Sequence, residues 1–258
     1  MEKKLRKKLN IDTVGKLVGP VGLPLAVLYT YCMFVHPWLA RQGSWEYVQN
    51  VWDRWQTFNA AALAFAASVI VLQVARYKDE KQRGRDFRAT KAFLPAALSE
   101  LSAYFKGSAQ TLHEAWSLQG QSQHIKAPAA PILYKDAFNE CIRHATPQIG
   151  DYFANVLADL QVHEARIGEL HQGNYSKDTL LYYLRSLGHL QVRLNKQFDF
   201  ARGEKEFDNT SLEWGDFKNA YSTFGIGSAS IGNFHDDLGN SLESVTKKLI
   251  KKLNHQAQ

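Results

Sequence analysis

The sequence predicts an all-α protein in which an N-terminal two-helix transmembrane hairpin is followed by a cytoplasmic helical bundle. Three observations indicate this fold class. Two long runs without Asp, Glu, Lys or Arg lie in the first third of the chain, at 17–40 and 55–75. Clusters of Lys and Arg lie before the first run and after the second. The rest of the chain has apolar residues at helical spacing and no sustained β-branched alternation, so we expect almost no sheet.

Each uncharged run is long enough to cross a bilayer. The runs hold 24 and 21 residues, and a helix that crosses the ~30 Å hydrocarbon layer needs about 20. Prolines and glycines in the first run place its expected span at about 18–38, and the second span is expected at about 55–75. The alternative for the first run is a cleaved signal peptide, whose apolar region is usually shorter, roughly 7–15 residues. The alternative for the second run is a buried helix of a soluble protein.

The distribution of basic residues predicts the orientation of the hairpin. Residues 1–16 hold six Lys or Arg and residues 76–91 hold seven, whereas the loop 41–54 holds two. The positive-inside rule therefore places the N-terminus and the chain after the second span in the cytoplasm. Four of the six Trp residues lie in or next to the loop, as in an aromatic belt at the outer interface. The expected location is a bacterial inner membrane, crossed twice.

The second span carries small and polar side chains that a passive anchor does not require. Amides in lipid should face another helix or water, and small residues let helices approach closely. The candidates for hairpin packing or for a pore are Gln56, Asn59, Ala60, Ala64, Ala67 and Gln73. Two interpretations stay open: a packed hairpin with amide hydrogen bonds, or an oligomer whose polar faces line a pore.

After a basic N-terminus at 1–16 and a hairpin at 17–75, we expect a cytoplasmic helical domain at 76–207. The second span should continue as a charged helix until Pro95 interrupts it. A Gln-, Ser- and Pro-rich stretch at 119–131 is the candidate linker. Residues 208–258 are expected to form a flexible segment that ends in a basic amphipathic helix.

The basic residues of that last helix suggest contact with a membrane surface. They are Lys247, Lys248, Lys251 and Lys252, and they surround an apolar stripe. Such a helix can lie on anionic lipid. It can equally pack on the domain with its lysines in solvent, and both interpretations stay open.

No constellation of residues indicates catalysis. The two cysteines, Cys32 and Cys141, lack metal-type spacing, and the chain has no zinc-protease, dinucleotide or kinase motif. The run from His235 to Asp237 could be a fragment of a metal or phosphoesterase site, but the chain offers no matching ligand set. We therefore expect no enzyme activity, metal, cofactor or small-molecule substrate.

The order of basic N-terminus, two-span hairpin and helical cytoplasmic domain resembles the two-transmembrane effectors of bacterial anti-phage systems, including those paired with retron reverse transcriptases. The resemblance covers residues 1–105 and concerns architecture, so it transfers no functional residue. It implies a homo-oligomeric effector that disturbs the lipid bilayer once a cytosolic protein or ribonucleoprotein regulator releases it. The alternative is a membrane-tethered adaptor or signalling scaffold that recruits a cytosolic partner.

Overall fold

A computed structural model of the chain describes residues 22–118, 125–170 and 175–256. These residues form helices joined by turns and extended connections, with one isolated bridge between His235 and Ser241. The all-α class is confirmed for this part of the chain. The chain divides into two compact units, Met1–Lys81 and Gln82–Gln258, and each is described by itself. The predicted basic stretch at 1–16 lies outside the described residues.

Three helices build the described part of the first unit. Helix α1 covers Gly22–Ala40, α2 covers Trp45–Arg54, and α3 begins at Gln56 and ends at Lys91, past the end of this unit. Helix α3 is therefore one continuous helix from the apolar run into the charged stretch, as predicted. By length and composition, α1 and α3 could each cross a membrane.

A wider turn inside α1 accommodates a proline. Residues Tyr31–Val35 form a π-helical turn, in which the backbone N–H of His36 donates to the carbonyl of Tyr31, five residues earlier. Pro37 follows directly. A proline has no N–H and its ring clashes with the carbonyl four residues before it. The π-turn relieves this clash, so α1 continues through Pro37 to its end.

Most of the segment predicted as a loop between the spans is in fact helix α2. The turn that precedes it depends on Gly43, whose φ of 89° is accessible to glycine and strained for most other residues. Aromatic rings then join α2 to α1: Trp38 meets Trp45 edge to face at 5.2 Å, and Phe34 lies 5.0 Å from Trp52. The tryptophans predicted as an interfacial belt therefore also hold this turn together.

The second unit is a helical domain around one core. Its helices are α4 (Leu94–Ser117), α5 (Leu133–His144), α6 (Pro147–Glu169), α7 (Lys177–Asn195), α8 (Phe198–Arg202), α9 (Trp214–Thr223), α10 (Ser228–Ile231) and α11 (Leu242–Gln256). Pro95 lies in the first turn of α4, where a proline costs no hydrogen bond. Helix α7 begins at a cap, since the Ser176 hydroxyl accepts from the N–H of Thr179.

The core follows the predicted helical stripes. Leu94, Leu98, Leu101 and Phe105 of α4 are fully buried, and they face residues of α5, α6 and α7 in one cluster. Part of the predicted linker also joins this packing. Ile125 is buried in the core, so residues 125–131 lie against the domain, while 119–124 are outside the described residues.

The segment predicted as flexible, 208–258, belongs to the same compact unit. Tyr221 of α9 and Leu242 of α11 lie in the core formed by α4 and α7. The Tyr221 hydroxyl shares a buried hydrogen bond of 2.8 Å with Thr246 of α11. Gly188 of α7 makes room for this ring, because a Cβ there would lie 2.6 Å from it. Helices α7, α9 and α11 are thus fixed to one another through one tyrosine.

A buried histidine should make the stability of this domain depend on pH. His163 of α6 is 3% exposed, and its ring contacts Tyr104 and Phe105 edge to face. Burial, with a smaller contribution from the charge of Arg166, lowers the pKa of His163 to about 4. In the unfolded chain the pKa returns to about 6.5, so the unfolded state binds the proton first as the pH falls.

We expect the domain to keep its full stability above pH 6.5 and to lose about 2 kcal/mol through His163 by pH 5. Thermal unfolding of the full chain in detergent at pH 5 and pH 7.5 measures this loss. The variant His163→Leu should show a smaller difference between the two pH values, even if it is less stable at both. The exposed His255 supplies the control, since His255→Leu should change nothing. An unchanged pH dependence in His163→Leu would contradict this assignment.

Candidate functional site

A polar contact joins α1 to α3 within the hairpin. The Tyr29 hydroxyl donates to Oδ1 of Asn59 at 3.0 Å, and Nδ2 of Asn59 donates to the Trp52 carbonyl at 3.4 Å. Asn59 is 2% exposed, and the Tyr29 ring also lies 6.4 Å from the ring of Phe58. The hairpin therefore satisfies the amide of Asn59 on both its donor and its acceptor side. This is the arrangement expected of a packed hairpin with amide hydrogen bonds.

The other candidate residues of α3 lie apart from this contact. Gln73 is half-buried, and the exposed ones are Gln56, Ala60, Ala64 and Ala67. A single hairpin therefore leaves the small-residue face of α3 uncovered. This face is open to lipid or to a second copy of the chain.

Large apolar side chains also cover the outside of both helices. Leu23 of α1 is 71% exposed, and Phe65 and Val71 of α3 are 72% and 67% exposed. In the most apolar stretch of each helix, 6% of the residues are buried. Exposed apolar surface of this extent is typical of proteins that contact membranes or other chains.

The charged part of α3 follows this apolar surface directly. Seven Lys or Arg lie between residues 76 and 91, and most of the side chains there are exposed. The end of the stretch already belongs to the second unit, and there the ammonium of Lys91 lies 3.9 Å from the centre of the Phe200 ring of the same unit. The helix thus changes from apolar to basic along a continuous backbone.

The four lysines predicted to contact a membrane surface, Lys247, Lys248, Lys251 and Lys252, are all exposed. The apolar stripe of the same helix, however, faces the domain: Leu242 is fully buried, and Val245 and Leu249 pack against the core. Two lysines also have local partners, since Lys247 donates to Glu243 at 2.5 Å and Lys248 to Asn240 at 3.3 Å. Helix α11 therefore packs on the domain, and only its lysine face is available to lipid.

The loop around His235 is a turn in which the carboxylate of Asp236 accepts hydrogen bonds from groups of the same turn. Asp236 accepts hydrogen bonds from the backbone N–H of Leu238 and from both the backbone and the side chain of Asn240, at 2.6 to 3.0 Å. Among the described residues, no group of three His, Cys, Asp or Glu side chains is placed to hold a metal ion.

The second unit also contains a groove that no sequence motif predicts. This groove, of about 1190 Å³, lies between α6 and α7 and is lined by several basic side chains, among them Arg166 and Arg185. These residues belong to different helices and are 19 positions apart in the sequence. No local motif marks them. In the sequence, the only sign of this groove is that each of the two predicted helices carries basic residues beside its apolar stripe.

The chain matches no family model, no curated protein and no solved structure. The resemblance to two-transmembrane effectors therefore stays a prediction.

The contact between Tyr29 and Asn59 should stabilise the hairpin measurably. The variants Tyr29→Phe and Asn59→Leu should each lower its stability by about 1 kcal/mol, because each removes one partner of a hydrogen bond. Unfolding in mixed detergent micelles, followed by Trp fluorescence, measures this effect, since four of the six Trp lie in or beside the hairpin.

The double variant tests whether the two residues act together. If they do, the double variant should be about as stable as the less stable of the two single variants. Gln56→Leu is the matched control, because Gln56 lies one turn earlier on α3 and is exposed. Strictly additive losses, or an equal loss in Gln56→Leu, would show that the contact does not hold the hairpin.

Proposed function

We propose that the chain is a membrane-anchored helical effector of a bacterial anti-phage defence system, which disturbs the inner membrane by oligomerising its two-helix hairpin when triggered. The observation that carries this proposal is the apolar surface of α1 and α3, of which the chain itself buries so little. A bilayer is the environment that covers the apolar part of two such helices.

The charge pattern supports an orientation with both ends of the chain in the cytoplasm. The seven basic residues at 76–91 follow the apolar part of α3 in the same helix. The connection at 41–54 carries two. Because basic residues are retained on the cytoplasmic side, we infer that the second unit lies there and that helix α2 lies at the outer surface.

The uncovered face of α3 supports the step from anchor to effector. Ala60, Ala64 and Ala67 lie on one side of the helix and are exposed. Small side chains allow a second helix to approach closely in lipid, where close packing rather than hydrophobicity drives association. Gln56 would lie near such a contact and would bring a polar group into it. The resemblance to anti-phage effectors supplies the physiological setting.

A second candidate function is a membrane-tethered adaptor or signalling scaffold. The contact between Asn59 and Tyr29 favours it, because a hairpin whose buried amide is satisfied internally serves well as a passive anchor. In this case the second unit binds a cytosolic partner and the hairpin can be exchanged for another two-span anchor.

Inducible expression without neighbouring genes should separate the two candidates. An effector should depolarise the cells and arrest growth, whereas an adaptor should do neither. A potential-sensitive dye read by flow cytometry measures the change.

Ala64→Leu should at least halve the depolarisation at equal expression, because the larger side chain keeps a second helix at a distance. Ala66→Leu is the control, since it adds the same volume on the opposite face of α3, at another exposed alanine. An unchanged membrane potential after wild-type expression would rule out the effector function. Equal effects of both variants would show that the small-residue face of α3 has no special role in the depolarisation.

A further inference from the structure

The groove in the second unit is large enough for a ligand. Its volume is about 1190 Å³, and residues 208–212 and the end of α11 complete the lining formed by α6 and α7. Ligand pockets in proteins typically measure about 300–1,000 Å³. The groove therefore has room for a molecule of nucleotide size.

Two arginines in this groove flank an exposed tyrosine. The guanidinium carbon of Arg166 lies 5.0 Å from the centre of the Tyr182 ring, and that of Arg185 lies 4.6 Å from it. We call Arg166 and Arg185 the arginine pair. Neither guanidinium forms an ion pair with a carboxylate in the part of the chain that the structure describes. The Nε of Arg185 is buried and lacks a hydrogen-bond partner there as well.

The other cations of the groove are occupied. Arg193 donates to the Asp159 carboxylate at 2.6 Å. Lys196 donates to the hydroxyl and the carbonyl of Thr210, at 2.8 and 3.2 Å, and so holds the segment 208–212 in place. These two side chains build the wall of the groove. The arginine pair lies against the rings of Tyr182 and Tyr183. No carboxylate among the described residues pairs with it, so its positive charge is not neutralised there.

A buried histidine adds a further unpaired donor or acceptor. His163 lines the groove and is 3% exposed, and its Nε2 finds no hydrogen-bond partner among the described residues. The groove also contains His189, whose pKa is lowered to about 4 by burial and by the charges of Arg193 and Arg185. Both imidazoles are therefore neutral at neutral pH, chiefly because they are buried and secondarily because of the nearby arginines.

We propose that this groove binds a phosphate-bearing small molecule of nucleotide size, with the arginine pair as its principal contacts. A guanidinium presents its N–H groups as a planar fork that matches two phosphate oxygens. Two such groups without carboxylate partners, in a partly shielded groove, form a strong site for a multiply charged anion. His163 and Ser186, which also line the groove, supply further hydrogen-bonding groups. Binding here goes beyond the proposed function and does not require that the hairpin disturb a membrane.

Calorimetric titration of the full chain in detergent tests the proposal, with pyrophosphate and ATP as separate probes. The wild-type protein should bind at least one of them saturably and more weakly as salt is added. Arg166→Gln and Arg185→Gln should each weaken binding by about tenfold or more, the factor expected for a lost charge-assisted hydrogen bond. Arg143→Gln is the matched control, because Arg143 is exposed on α5 and pairs with Glu140. It should leave the affinity unchanged.

A second measurement uses the wild-type chain, so its result does not depend on whether a variant folds. Hydrogen exchange of the wild-type chain should slow at residues 208–212 when pyrophosphate is added, since this segment borders the groove. Absence of saturable binding by both probes, an equal loss in Arg143→Gln, or protection confined to residues outside the groove would each overturn the proposal.

Competition identifies the source of the phosphate. Glycerol 3-phosphate represents a phospholipid headgroup. If it displaces ATP at equal concentration, the ligand is a headgroup. If ATP or pyrophosphate is preferred, the ligand is a soluble phosphate compound.

Discussion

The apolar surface of α1 and α3 is the constraint on which the rest of the account depends. Leaving one large apolar side chain in water instead of burying it costs about 1.5–3 kcal/mol. Leu23, Phe65, Ile70 and Val71 are four among many such exposed side chains, so their exposure to water would cost on the order of 5–10 kcal/mol. This is comparable with the whole stability of a typical domain, about 5–15 kcal/mol. A cover from outside the chain, either lipid or other copies, would remove this cost.

In the second unit, the helices cover one another's apolar side chains. Its helices bury their stripes against one another, and Tyr221 connects three of them through the space left by Gly188 and the hydrogen bond to Thr246. The apolar stripe of α11 belongs to this core, so this stripe is not available to a membrane. The groove between α6 and α7 combines an arginine pair that has no carboxylate partner among the described residues with a buried imidazole whose Nε2 has no hydrogen-bond partner there. Hairpin and groove are thus two separate candidates for function, one apolar and one cationic.

The sequence predicts the helices well and their long-range contacts poorly. The uncharged runs and the charged continuation of α3 follow from local composition, which a single sequence displays directly. The helix at Trp45–Arg54 is harder to predict, because its aromatic residues are equally typical of an interfacial belt. Asn59 is recognisable as a polar residue in an apolar run, but its partner Tyr29 lies 30 positions earlier, and no periodicity links the two. The arginine pair is invisible for the same reason, since it forms only when α6 and α7 pack side by side.

The membrane topology of the hairpin tests the central claim most directly. In a chain with Cys32 and Cys141 replaced by serine, one cysteine is introduced at the exposed Gln49 of α2 and, separately, one at the exposed Ser222 of α9. A membrane-impermeant maleimide is then applied to spheroplasts before and after lysis. The account predicts that Gln49→Cys is labelled in intact spheroplasts and Ser222→Cys only after lysis. Equal labelling of both positions before lysis, or the reverse pattern, would contradict a hairpin that crosses the membrane with both ends inside.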